Sequence, residues 1–228
     1  IEDNFMGLIV AGLIITLWAV SLAAGLKTDI YRTNIFYVMA LAGLQTYLYT
    51  GLFITAHDAM HGTVTRIRLL NKAVGHLCSF LYAGLFYKTL LKSHREHHKY
   101  PGTEKDPDYS KGNFFVWYFS FMKRYVSVIQ IIIMAVLFNI FKLVSEESSI
   151  IVFWVIPALL SSVQLFYFGT YLPHKKPHTE EMLPHNSRTL KKNHTWAMLS
   201  CYFFGNHYEH HKLPGTPWWQ LYKTKTGK

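Results

Sequence analysis

Nine of the thirteen histidines in this 228-residue chain stand at spacings that bring imidazoles together. His57 and His61 (HDAMH) are four residues apart. His94, His97 and His98 (HREHH) repeat the i, i+3, i+4 pattern, as do His207, His210 and His211 (HYEHH), and His174 closes the run FGTYLPH. On a helix these separations put side chains on one face within about a turn. The chemistry such a set can do is metal binding, and imidazole suits zinc, copper, iron and nickel alike. Nine ligands are too many for one ion, since zinc usually takes four. Two ions with four or five ligands each absorb them all. His76, His178, His185 and His194 lack the spacing and are read as ordinary polar or interfacial residues.

Two divalent ions held by neutral ligands carry at least four uncompensated positive charges, so carboxylates should gather around them. The chain has only thirteen acidic residues, yet Asp58, Glu96, Glu104, Asp106, Asp108 and Glu209 lie in or beside the histidine motifs. If the motifs are helical, Glu96 and Glu209 point roughly 160° from the mean direction of their own histidines. Each is then suited to a neighbouring helix or to a lysine. Asp58, on the flank of the His57/His61 face, and Asp108, in the turn KDPDY with Asp106, are the candidate catalytic carboxylates. For that turn a purely structural role is an equal alternative.

The elements that must position these side chains are membrane helices. Half the chain is hydrophobic and 16% is charged, which excludes a disordered chain. Cys78 and Cys201 are too few for a disulfide-stapled domain or a cysteine-ligated cluster. Four apolar stretches reach the roughly 20 residues that cross a bilayer core: about 6–25, 35–56, 125–144 and 150–172. Glu2 and Asp3 precede the first, where a cleavable signal peptide would be basic. Residues 69–92, interrupted by Lys72, His76, Lys88 and Lys92, read as an interfacial or re-entrant helix pair. The aromatic stretch 113–124 reads as an interface segment.

Of the Lys and Arg residues, Lys27, Arg32 and Lys142 lie at or near the loops 26–34 and 145–149, and the rest fall in 57–124 and 173–228. Cytoplasmic segments collect Lys and Arg. The two large segments, both termini and every histidine motif are therefore expected on the cytoplasmic side. The fold expected is a single all-α integral membrane domain over 1–228: four transmembrane helices in two hairpins, interfacial helices and a cytoplasmic histidine-rich cap. The net charge of +10 follows from that topology, and no nucleic-acid partner is expected. A paired centre at the membrane edge favours iron, whose redox chemistry gives it a purpose.

Three histidine motifs on one side of a four-span scaffold resemble the membrane-bound diiron oxygenases and desaturases. The surrounding text, including TGLFITAHDAMHG (50–62), HREHHKYPGTEKDPDY (94–109), FYFGTYLPHK (166–175) and SCYFFGNHYEHHKLP (200–214), resembles the bacterial and cyanobacterial β-carotene ketolases from about residue 35 onward. The connector TVTRIRLLN after His61 and the tail PWWQLY depart from that pattern. Against fatty-acid desaturases, Thr170 stands one turn before His174 where an amide residue is expected.

The resemblance implies ligation of two irons by His57, His61, His94, His97, His98, His174, His207, His210 and His211. It implies O2-dependent oxidation at carbon 4 of the β-carotene ring: two hydroxylations of one carbon, then loss of water to a ketone. Repetition on the second ring converts echinenone to canthaxanthin, and the hydroxylated zeaxanthin is a further carotenoid partner. The electrons must come from an external, ferredoxin-like reductant, because the chain has no flavin, haem or iron–sulfur motif. The alternatives are a carotenoid 3-hydroxylase, a lipid desaturase and, outside enzymes, a membrane metal transporter. The last would line a path through the spans with His and Asp.

Overall fold

A computed structural model describes residues 3–224, among which regular structure is helical apart from one isolated antiparallel bridge between Thr189 and Asn206. Residues 1–2 and 225–228, and with them the expected placement of the extreme termini, lie outside the described residues.

Helices α1 (Asp3–Leu26) and α2 (Ile35–His61) form the first hairpin. The Asn34 side chain starts α2 by accepting the Phe36 N–H, and Gly62, at φ 75°, ends it in a left-handed conformation that glycine adopts without strain. Because α2 runs past the expected boundary at 56, His57 and His61 occupy its last turns. Helices α3 (Arg68–Ala83) and α4 (Tyr87–Lys99) make the helix pair expected over 69–92, separated by Gly84 at φ 66°.

The expected third span is organised differently. Helix α5 (Phe114–Tyr125) and helix α6 (Val128–Phe141) meet at an angle of 85°. The break is local chemistry: Ser127 and Gln130 form a reciprocal capping box that begins a new helix. With 14 residues, α6 is about 21 Å long at 1.5 Å per residue, short of a bilayer core of about 30 Å. Among the described residues, three helices are long and apolar enough to cross a membrane, or four if the bent pair counts as one span.

The last long helix, α7, runs from Glu147 to His174. It continues past the expected end at 172 and contains two wide π turns, Ile151–Val155 and Phe166–Tyr171. Each lies just ahead of a proline, Pro157 or Pro173. Proline has no N–H and crowds the carbonyl four residues back, and the wider turn accommodates both effects. Helices α8 (His194–Cys201) and α9 (His207–Lys212) follow, then a 3₁₀ segment, Trp218–Thr224.

The core lies where α1, α2 and α7 pack: Trp18, Tyr49, Leu52 and Trp154 are buried there. Ser149 Oγ donates to the Thr28 carbonyl at 2.7 Å, tying the two short loops together at the end of the bundle away from the histidines. Outward-facing Leu13, Leu17, Ile129 and Ile132 are more than half exposed. Such an exterior suits hydrocarbon rather than water.

Candidate metal centre

The nine spaced histidines meet at one end of the bundle in two groups. His57, His61, His94, His98 and His210 form one, and His97, His174, His207 and His211 the other; within each group the ligand nitrogens all lie within 4.8 Å of one another. The motifs interleave. Helix α4 gives His94 and His98 to the first group and His97 to the second. Helix α9 gives His210 to the first and His207 with His211 to the second. Neither group can be assembled without both helices.

Several Nε2 atoms face each other directly: His61 and His94 at 2.6 Å, His98 and His210 at 2.9 Å, His97 and His211 at 3.1 Å, and His207 and His211 at 3.1 Å. Lone pairs so close repel unless a proton or cation lies between them. Nitrogens that share one ion, each about 2.0–2.1 Å from it, are drawn to within about 3–4 Å of one another, so a shared cation would account for facing pairs this close. His174 Nε2 and both nitrogens of His57 are buried without a protein partner, although buried polar atoms are normally satisfied. A cation in each group completes these valences, so the residues fit a metal centre.

Burial disfavours the charged form of most of these imidazoles, in keeping with the neutral state that ligation requires. His97 is the exception, its burial outweighed by the Asp106 carboxylate, which holds it above the ordinary histidine range. Burial, followed by the neighbouring His61 and His97, pulls the His98 imidazolium down to about 2. Burial likewise holds His207, His210 and His211 well below the ordinary histidine range.

Outer partners fix which nitrogen points inward. His97 Nδ1 donates to the Asp106 carboxylate at 2.9 and 3.0 Å, leaving Nε2 for the metal. The same carboxylate accepts the N–H groups of Gly102 and Asp108, both at 2.8 Å. His174 Nδ1 donates to the Asn186 carbonyl at 2.9 Å, and the Asn186 amide donates to the Pro101 carbonyl at 3.1 Å. Asn186, at φ 45°, thus joins the loop after the second motif to the end of α7. Nothing in its sequence spacing announces that role.

A cavity of about 840 Å³ runs from the centre into the helices. His57, His94, His97 and His207 border it, two from each group, and Phe53, Phe121, Phe138 and Phe204 line its walls. Ile131, Ile151 and Leu159 also border it and are themselves exposed, so it opens sideways between α6 and α7.

The two catalytic candidates lie in different places. Asp108 is buried and borders the cavity; Tyr125 Oη donates to its Oδ1, and Trp117 Nε1 donates to its carbonyl. Asp58 is buried behind His57, where its Oδ2 accepts the Trp218 N–H at 3.0 Å and so holds the C-terminal tail. Glu209 accepts from Thr189, Glu104 pairs with Lys111, and Glu96 is exposed. The remaining histidines stay outside both groups: His76 packs at a tilt against Tyr87, His194 likewise against Phe203, and His178 donates to the His174 carbonyl. His185 is the nearest of them, its ring 5.7 Å from that of His211. Thr170 is buried at the cavity wall.

Apolar helices carrying two histidine clusters at one end, beside a largely apolar cavity, are the features of a membrane protein with a centre suited to metal. The profile of the fatty acid desaturase family matches residues 32–149 and 122–226, and the chain belongs to that family. It is 41% identical over 194 residues to a β-carotene ketolase of Paracoccus sp. (strain PC1), covering 83% of this chain and 80% of that one. A second β-carotene ketolase, from Paracoccus sp. (strain N81106 / MBIC 01143), is 38% identical over 223 residues, 96% of this chain and 92% of the relative. A zeaxanthin 4-ketolase of Chlamydomonas reinhardtii is 40% identical over 216 residues, 92% of this chain and 49% of the algal protein. No solved structure matches.

Proposed function

We propose that the protein is a carotenoid 4-ketolase that oxidises the ring methylene of β-carotene to a ketone, through echinenone to canthaxanthin, using O2 and an external ferredoxin-like reductant. The observation that carries this reading is the sideways-opening apolar cavity whose inner end is formed by histidines of both groups. A polyene dissolved in the bilayer reaches such a site without passing through water. The relatives' names supply the reaction and the carbon.

The nine histidines would hold two irons, which supply the oxidising power to put oxygen from O2 into an allylic C–H bond. The chain's own residues do the rest. Asp106 and the Asn186 carbonyl hold the Nδ1 protons of His97 and His174 and so keep Nε2 turned inward. Phe53, Phe121 and Phe204 exclude water and press the ring into place. Two hydroxylations of one carbon give a geminal diol, which loses water to the ketone.

The topology proposed with it is a single domain with four crossings, counting α5 and α6 as one, and with the metal centre and both termini on the cytoplasmic side. The placement of Lys and Arg supports that orientation.

Expression in a β-carotene-accumulating bacterial host, followed by pigment analysis, tests the reading. Echinenone and canthaxanthin are expected. Zeaxanthin would show a 3-hydroxylase instead, and unchanged pigment in a folded, iron-loaded preparation would overturn both. A transporter reading finds no support in the placement of the imidazoles, which gather at one end of the bundle instead of following a path along it.

A further inference from the structure

Among the described side chains that border the cavity, Asp108 is the one carboxylate, and the protein engages one of its two side-chain oxygens. Its Oδ1 accepts the Tyr125 hydroxyl and its main-chain carbonyl accepts Trp117 Nε1, while its own N–H donates to Asp106. Oδ2 has no protein donor. Asp108 belongs with His97 and Asp106 to a group whose ligand atoms lie within 4.8 Å of one another, and it shares the cavity wall with His97 and His207 of the second histidine group. Asp106 faces the same imidazole, but His97 Nδ1 and two N–H groups occupy it. In a wall otherwise dominated by aromatic and aliphatic groups, this is a carboxylate with an acceptor to spare.

We infer that Asp108 Oδ2 accepts the hydrogen bond of the first alcohol product, holding the hydroxylated ring at the centre until the same carbon is oxidised again, with Tyr125 as the residue that positions the carboxylate. The inference rests on the ketolase reading and explains how one site performs two oxidations in succession. A carotenoid alcohol is more polar than the hydrocarbon it came from, but without an anchor it would be free to return to lipid. A hydrogen bond to a charged acceptor in an apolar wall retains it. The chemistry balances without any further reagent. The hydroxyl oxygen stays on carbon, its proton is shared with Oδ2, and the second hydroxylation consumes one more O2 and two more electrons. The resulting diol then splits into ketone and water with no change in oxidation state.

The test compares iron-loaded wild type with Asp108→Leu and Tyr125→Phe on β-carotene, scoring 4-hydroxylated against 4-keto product. Wild type should give ketone with little alcohol. Asp108→Leu should release alcohol and raise the alcohol-to-ketone ratio about tenfold or more, the effect of one charge-assisted hydrogen bond. Tyr125→Phe, which keeps the carboxylate but frees it to turn, should shift the ratio the same way by less. A second readout is binding to metal-free protein by fluorescence quenching: wild type should prefer the 4-hydroxylated carotenoid to β-carotene, and Asp108→Leu should lose that preference. An unchanged product ratio at whatever rate, or an unchanged binding preference, overturns the inference. So does a variant that forms no alcohol while losing its iron, because Asp108 would then be structural support for His97. Failure of wild type to make any ketone would instead sink the ketolase reading itself.

Discussion

His97 points its Nδ1 at Asp106, 2.9 Å away, and its Nε2 at His211, 3.1 Å away. One ring thereby links a carboxylate outside the centre to the second histidine group within it. Asp106→Asn keeps the shape but replaces an ionised acceptor with an amide, weakening the hold on the Nδ1 proton. Metal affinity of the second group should fall about 10- to 100-fold, read as iron retained after dialysis against a graded chelator series. Retention equal to wild type would show that Asp106 serves the turn and not the metal.

Because the two groups share α4 and α9, removing one ligand from each separates them. His210→Ala should lower iron in the first group, His97→Ala in the second, and both should abolish turnover. His185→Ala should keep both irons despite its ring packing against His211. Iron per protein by plasma emission, with Mössbauer spectra to show which environment is lost, checks all three. Full activity in either ligand variant removes that histidine from the set.

Metal-free protein should weaken on acidification. His98, His207, His210 and His211 are held below the ordinary histidine range by burial, whereas in the unfolded chain they titrate near 6.5. Above that value both states are neutral and nothing changes. Below it the unfolded chain takes up protons that the folded one refuses, so these histidines lower stability as the pH falls, with His97, held above the ordinary range by Asp106, opposing them. Thermal unfolding of chelator-treated protein in detergent should therefore shift downward from about pH 7.5 to about pH 5.5. A flat profile would mean that these imidazoles are solvated.

Gly169 lies in a π turn where an added Cβ would come within 2.4 Å of the Phe204 ring, which packs on His57 with ring centroids 4.8 Å apart. Gly169→Ala should drive Phe204 toward His57 and destabilise the protein by about 1–3 kcal/mol. It should also narrow the cavity, raising KM for the carotenoid more than it lowers iron content. An unchanged KM and melting point would show that α7 yields at the π turn instead.

The ligands were legible because metal binding leaves a periodic trace: i, i+3, i+4 spacing on α4 and α9 is visible without any tertiary information. How they divide between two groups was not. That depends on the crossing of two helices 112 residues apart at His98 and His210. The long helices were legible by hydrophobicity, but the capping box at Ser127 and the π turns before Pro157 and Pro173 act through one or two residues and are averaged away in an apolar window. KDPDY marked Asp108 as a catalytic candidate beside Asp106, but only the fold turns Asp106 toward His97 and Asp108 toward the cavity. Asp58, read as flanking the His57 face, is turned to the tail residue Trp218, a contact 160 residues away.

The opening between α6 and α7 bears on the order in which products emerge. A long rigid molecule that enters end-on can offer only its leading ring to the centre, while the trailing ring stays among the lipid tails. Reaching the other ring requires withdrawal, reversal and a fresh encounter. The half-converted pigment should therefore accumulate and then decay during a time course, and its share should grow wherever substrate is abundant enough to outcompete it for the doorway.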